Sequence, residues 1–272
     1  MHLHFHEYGH GTPVVILHGL FGSLANWQTI SRGLAARFRV LAVDQRNHGR
    51  SPHCPEMTYR LMADDMREFL DARGLSATHL LGHSMGGKTA MQFALSFPER
   101  VTRLVVADIA PRAYGSAHDR ILHALLSLNL KLFRNRGDVE AALAPKVPDL
   151  GMRRFLLKNL ARRTDGAFHW RVSLENILHN CPALESAIDS SRPFEKPALF
   201  LRGARSDHIR DDDSADIHRL FPRARIVTIT DAGHWIQADA PDACLEAVED
   251  FLLDGAREDA GRPAVENLRA RV

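Results

Sequence analysis

Gly82-His83-Ser84-Met85-Gly86 sets a hydroxyl between two glycines in the pattern G-x-S-x-G. The residues before it, HLLGH, read as a buried strand, and those after it, GGKTAMQFALSF, read as a helix. In that context the glycines permit a sharp strand-to-helix turn that presents the serine Oγ beside the free N–H groups of a helix start. Such a serine can attack a carbonyl carbon and carry the acyl group covalently. The attack puts negative charge on the carbonyl oxygen, so N–H donors must face it. His18-Gly19-Leu20-Phe21-Gly22 follows the first long apolar run, where a loop supplies one donor, and the residue after the nucleophile supplies the other. Leu20 and Met85 are therefore the candidates for an oxyanion hole, through their backbones alone.

The attack also needs a base. Sixteen histidines make any single one weak as a signal. His234 stands apart because it lies in DAGHWIQADAP, between an apolar run and the helical pattern PDACLEAVEDFLL. In the chain order nucleophile, acid, base, the base falls in such a last loop, which makes His234 the expected general base and acid. Phe21 and Trp235, beside the two loops, are candidate substrate contacts. His83 reads as packing. His2, His4 and His6 alternate, so a strand would put all three on one exposed face; no carboxylate or further ligand has suitable spacing, and no metal site is expected.

These residues need a frame. PVVILHG, FRVLAVD, HLLGHS, RLVVADIA and PALFLRG are short runs rich in Val, Ile and Leu without polar alternation, and RIVTITDAGH is a more mixed one. Such runs suit parallel strands covered on both faces. Helical patterns such as TYRLMADDMREFLDARG lie between them, and the alternation predicts an α/β fold with a mostly parallel twisted sheet flanked by helices. Between Pro111 and Pro193 the alternation stops. HDRILHALLSLNLKLF, DVEAALA, MRRFLLKNLARR and WRVSLENILHN read as helix after helix, a cap inserted between two late strands over the sheet's C-terminal edge, where open α/β sheets bind ligands. The expected division is a core of residues 1–110 and 194–254, a helical cap of 111–193, and a charged tail of 255–272.

Taken together, HGLFGSLANW (18–27), DQRNHGRSPH (44–53), GHSMGGKTAM (82–91), VADIAP (106–111) and AGHWIQADAP (232–241) resemble the α/β-hydrolase superfamily. Within it they are most similar to the small bacterial esterases related to abhydrolase domain-containing protein 11. The resemblance implies a capped α/β-hydrolase fold that cleaves esters or thioesters and needs no cofactor. It also bears on the triad acid. In the common hydrolase pattern the acid stands three residues after the glycine ending the penultimate strand; counted from Gly203, that position holds Ser206, with Asp207 one residue later. Other members keep the acid at the end of the preceding strand, here Asp108, with a serine matching Ser206 helping to orient the histidine. Asp108 is the preferred acid, Asp207 the alternative and Ser206 an auxiliary, with Glu175 in the cap a remote third carboxylate.

Bulk properties narrow the partners. With 45% hydrophobic and 25% charged residues the composition is that of an ordinary globular protein, and a net charge of +2 gives no reason to expect nucleic acid or a membrane surface. No apolar stretch approaches the ~20 residues that span a bilayer. Cys54, Cys181 and Cys244 are odd in number and scattered, which fits reduced thiols and a cytoplasmic location. Residues 111–171 hold twelve Lys and Arg against five Asp and Glu, a basic patch able to attract anionic substrates such as acyl-CoA thioesters. The reading is a serine hydrolase of small-molecule carboxylic esters or thioesters acting through an acyl-enzyme, with oligomeric state open. A carbon–carbon bond hydrolase, a cofactor-free haloperoxidase or an acyltransferase would use the same triad, and a non-catalytic binding module is the alternative of another class.

Overall fold

The computed structural model describes residues 1–115 and 118–258. Nine strands are β1 (Phe5–Tyr8), β2 (Pro13–Leu17), β3 (Arg39–Val43), β4 (Thr78–His83), β5 (Val101–Ala107), β6 (Leu160–Arg162), β7 (Phe168–Trp170), β8 (Ala198–Gly203) and β9 (Ala224–Ile229). Seven of them form one sheet in the order β1-β3-β2-β4-β5-β8-β9. Its neighbours pair in parallel except for β1, which runs antiparallel to β3 at one edge.

The unbroken apolar runs are explained by two-sided burial. Along β2, Val14 and Ile16 join one core cluster while Val15 and Leu17 join the other. The same alternation holds for Val40 against Leu41 and for Val105 against Leu104. Period-two side chains thus feed two cores at once, as a sheet covered on both faces demands.

On one face lie α1 (Gln28–Leu34) and α11 (Pro241–Glu258); on the other lie α2 (Tyr59–Asp71) and α3 (Met85–Ser96). Thr58 caps α2 by accepting a hydrogen bond from the Leu61 N–H, which sets where that helix begins. The short helices α9 (Ser214–Leu220) and α10 (Ile236–Asp239) follow β8 and β9. The tail expected from Gly255 begins inside α11, and its part beyond Glu258 lies outside the described residues.

Between β5 and β8 the chain builds α4 (Asp119–Leu126), α5 (Arg136–Leu143), α6 (Leu150–Leu157), α7 (Leu174–His179) and α8 (Cys181–Glu185). It is not helix after helix. MRRFLLKNLARR stops being helical at Leu157, and β6 pairs antiparallel with β7 through a turn at Gly166 with φ 84°. Leu157 and Leu160 pack with Val139 into a small cluster of their own. Buried bonds stitch this insertion to the core: Tyr59 Oη–H donates to Leu184 O at 2.6 Å, and Asn159 Nδ2–H donates to Phe21 O at 2.7 Å.

Candidate active site

Ser84 occupies the sharp turn from β4 into α3 with φ 52° and ψ −120°. A non-glycine residue held at positive φ is strained, and the surroundings must enforce it. They do so by close packing: a Cβ on Gly86 would meet the Leu17 and His18 carbonyl oxygens at 2.4 and 2.5 Å. Only glycine lets the start of α3 press against the end of β2, and that contact fixes Ser84 between them. The Ser84 N–H donates to Ala107 O at 3.0 Å, tying the turn to the end of β5.

The loop of residues 18–22 is held from behind. Gly22 N–H closes a turn on Gly19 O at 2.9 Å, with Phe21 at φ 58°. His48 Nε2 accepts from the Phe21 N–H at 3.2 Å, while its Nδ1–H donates to Arg46 O. His18 Nε2 accepts from the Gln45 N–H at 3.0 Å. Both imidazoles are therefore neutral, and burial agrees, pushing His18 down to about 4 and His48 to about 3. Asp44 accepts from the Leu24 and Arg50 N–H groups, and Arg46 makes a buried two-pronged ion pair with Asp65. DQRNHGRSP is thus the scaffold of the turn. The Leu20 and Met85 N–H groups have no hydrogen-bond acceptor among the described residues, and Met85 stands at the first position of α3.

Asp108 follows β5 with φ 51° and is fully buried. Its N–H donates to Leu201 O at 2.8 Å, which aligns the ends of β5 and β8. Its carboxylate accepts from the Gly203 N–H at 2.9 Å, from the Ser206 hydroxyl, and from His234 Nδ1–H at 2.9 Å. Burial pushes the Asp108 carboxyl above its ordinary range, opposed by the bonds from Ser206 and Gly203. Burial, followed by His118, pushes His234 down to about 4, so its ring is neutral at pH 7. The His234 carbonyl accepts a bond from His83 Nε2–H at 2.8 Å, which joins the base loop to the serine turn.

Two cavities meet at Ser84. One of about 60 Å³ is lined by His234, Trp235, Phe21 and Phe155 among others; one of about 350 Å³ is lined by Leu20, Met85, Lys88, Tyr114 and His208 among others.

The chain is similar to known proteins over most of its length. Residues 12–146 match the family described as alpha/beta hydrolase fold. The chain is 38% identical over 247 residues to the mouse (Mus musculus) sn-1-specific diacylglycerol lipase ABHD11, covering 88% of this chain and 80% of that protein. It is 35% identical over 244 residues to esterase YbfF of Escherichia coli (strain K12), covering 89% of this chain and 94% of the relative. A solved structure described as a marine microorganism esterase superposes with a TM-score of 0.89 at 40% identity, over 92% of this chain and 98% of that one. The chain belongs to the α/β-hydrolase family. It is a carboxylic ester hydrolase.

In this hydrolase Asp207 is exposed, and it engages the protein through its backbone carbonyl, which accepts from Arg112. Glu175 is exposed on α7. Among the apolar residues of the cap, Phe155 reaches the smaller cavity and lies 5.3 Å from the Trp235 ring, whereas Leu122 is core and Phe133 and Trp170 pack within the cap. His208 is a site residue that the sequence reading does not single out: its ring stacks on His234 with centroids 3.7 Å apart and planes 18° apart, and burial, then His234, pushes it down to about 4. The pattern S-D-H after Gly203 is its only local signal.

Asp108, His208 and His234 have donor atoms within 4.8 Å of one another, the one such cluster among the described residues. The two imidazole planes are nearly parallel, however, so their in-plane lone pairs run side by side instead of converging on a metal ion. His4 and His6 sit near each other at the edge strand, rings 5.3 Å apart. No helix among the described residues is long and apolar enough to cross a membrane.

Proposed function

We propose that this hydrolase cleaves carboxylic esters and thioesters through an acyl-enzyme on Ser84, with His234 as base and acid and Asp108 as the acid of the triad. The observation that carries the proposal is the 2.9 Å bond between Asp108 Oδ2 and His234 Nδ1, beside cavities that Ser84 shares. With Nδ1 engaged, Nε2 is the ring nitrogen left to exchange a proton with Ser84 Oγ. As Oγ bonds to the carbonyl carbon, its proton passes to His234, and the oxyanion accepts from the Leu20 and Met85 N–H groups. Collapse breaks the bond to the leaving oxygen or sulfur, which takes the proton from His234. Water then attacks the acyl carbon by the same route and releases the acid and free Ser84. Asp108 orients the ring and stabilises the imidazolium, and Ser206 steadies Asp108.

Phe21 and Trp235 border the leaving-group side in this reading. The mouse relative's name points to lipid esters, and the basic cap supports acyl-CoA thioesters as further substrates. A cytoplasmic location belongs to the same proposal, supported by three free thiols at Cys54, Cys181 and Cys244. The test is a series of p-nitrophenyl esters of rising chain length beside acyl-CoAs, with Ser84→Ala as blank. Turnover abolished in the blank is expected; turnover retained by Ser84→Ala removes the reading.

A further inference from the structure

The larger cavity, about 350 Å³, holds a charge that the acyl-transfer steps do not use. Lys88 is the fourth residue of α3, just beyond the turn that carries Ser84, and both residues line this cavity. Its side chain is only 1% exposed, yet it lines this cavity. The ammonium donates to Ser186 O at 2.5 Å and sits over the Tyr114 and Tyr59 rings, 4.8 and 5.5 Å from their centroids. No described carboxylate comes within 4.0 Å of it. Burying a charge without a counter-ion is costly, and such groups are ordinarily paired.

The neighbouring charges stand farther off than an ion pair. Arg112 is already paired with Asp213 at 3.0 Å. Glu185 shares the cavity wall and its charge favours the Lys88 ammonium, but it makes no ion pair with it within 4.0 Å; burial and then Asp119 push the Glu185 carboxyl up from its ordinary value. Burial, with Arg112 next, lowers Lys88 to about 8, so it still carries its charge at pH 7. Arg112 and Arg210 also line the cavity, as does the exposed Asp207.

The cavity also has a direction. Leu20 borders both cavities, but Met85, the second oxyanion donor, borders only the larger one, whereas His234, which must protonate the leaving group, borders only the smaller one. The acyl group therefore extends into the larger cavity, toward the cation.

We propose that Lys88 is a specificity-determining residue that receives a carboxylate at the far end of the acyl group, so that monoesters and thioesters of short dicarboxylic acids are preferred substrates. This rests on Ser84 as the acylated residue. The incoming carboxylate completes an ion pair inside a low-polarity site, and its neutral counterpart leaves the ammonium without one.

The experiment compares kcat/KM for mono-p-nitrophenyl adipate and p-nitrophenyl hexanoate, each corrected with Ser84→Ala, in wild type, Lys88→Met and Lys88→Arg. The adipate-to-hexanoate ratio is expected to fall at least about tenfold in Lys88→Met, mainly through KM for adipate, and Lys88→Arg is expected to restore part of it. Loss of the Ser186 strut alone would lower both esters together; a ratio within about threefold of wild type then overturns the proposal. A second measurement uses only the wild type and so does not depend on the variants folding. Lys88 is faced by Tyr59, Tyr114, Arg112 and Glu185, and its depressed value means the charged form is present below about 8 and lost above it. The ratio should fall as pH rises through that range; a flat ratio overturns the proposal. Failure of the Ser84 reading looks different, because the Ser84→Ala protein would then hydrolyse both esters.

Discussion

Asp108 Oδ2 lies 2.9 Å from His234 Nδ1 although the two residues are 126 positions apart in the chain. The parallel pairing of β5 with β8 and of β8 with β9 makes this contact possible, because the end of β5, held by Asp108 N–H on Leu201 O, comes within reach of the loop after β9 that carries His234. Asp108 also receives Gly203 N–H and the Ser206 hydroxyl, so its carboxylate is held on three sides.

Replacing Asp108 with Asn leaves the size of the side chain but offers His234 the wrong partner. The expected loss in kcat is on the order of 10⁴-fold. Asp207→Asn, on an exposed residue, should stay within about threefold of wild type, as surface changes do. Steady-state kinetics on a p-nitrophenyl ester decides it, and the reverse ranking would move the acid to Asp207.

Gly203 has a packing role that any side chain would violate. A Cβ there would meet the Gly233 carbonyl oxygen at 2.2 Å, and Gly233 directly precedes His234. Gly203→Ala must push the base loop away from β8, so a loss of roughly 10²-fold in kcat is expected from misplacement of the base. A variant with wild-type kcat would show that the loop absorbs the shift.

His208 presents its ring face to His234 at 3.7 Å. A neutral aromatic face favours the imidazolium that forms when His234 takes the proton. His208→Ala should lower kcat about three- to tenfold, given a contribution of ~1 kcal/mol, whereas His208→Phe should keep most of the activity. Equal losses in the two variants would assign the effect to the Ser206 contact of His208 instead of the stack.

Burial holds His234 down to about 4, below an ordinary imidazole at 6.5. A base works in its neutral form, and a lowered value keeps that form present to lower pH. The acid limb of kcat/KM for a neutral ester is therefore expected well below 6.5, with the rate lost only as pH falls toward the His234 value. A pH profile with circular dichroism at each point separates ionisation from unfolding. A midpoint at or above 6.5 would contradict it.

Local signals made part of this architecture legible. The glycine-flanked Ser84, the apolar strands around it and the last-loop His234 are patterns that a few neighbouring residues specify. The acid was ambiguous because Asp108 and Asp207 both end strand-like runs, and the choice depends on which strands pair. The same holds for His48 and His18: their work is to hold Phe21 and Gln45, each 27 residues away, and no local pattern records that. His208 was hidden among sixteen histidines, and Lys88 read as one more residue of a helix. The β6–β7 hairpin reads as helix in the sequence because Leu156, Leu157 and Leu160 satisfy a helical period, and short apolar runs do not distinguish the two by periodicity.

Reaction of the folded protein with a fluorophosphonate probe, followed by peptide mapping, tests the nucleophile itself. The account predicts stoichiometric modification of Ser84, none in Ser84→Ala, and slowed modification in Asp108→Asn. An unmodified wild type, or a label on another residue that persists in Ser84→Ala, would contradict the catalytic centre described here.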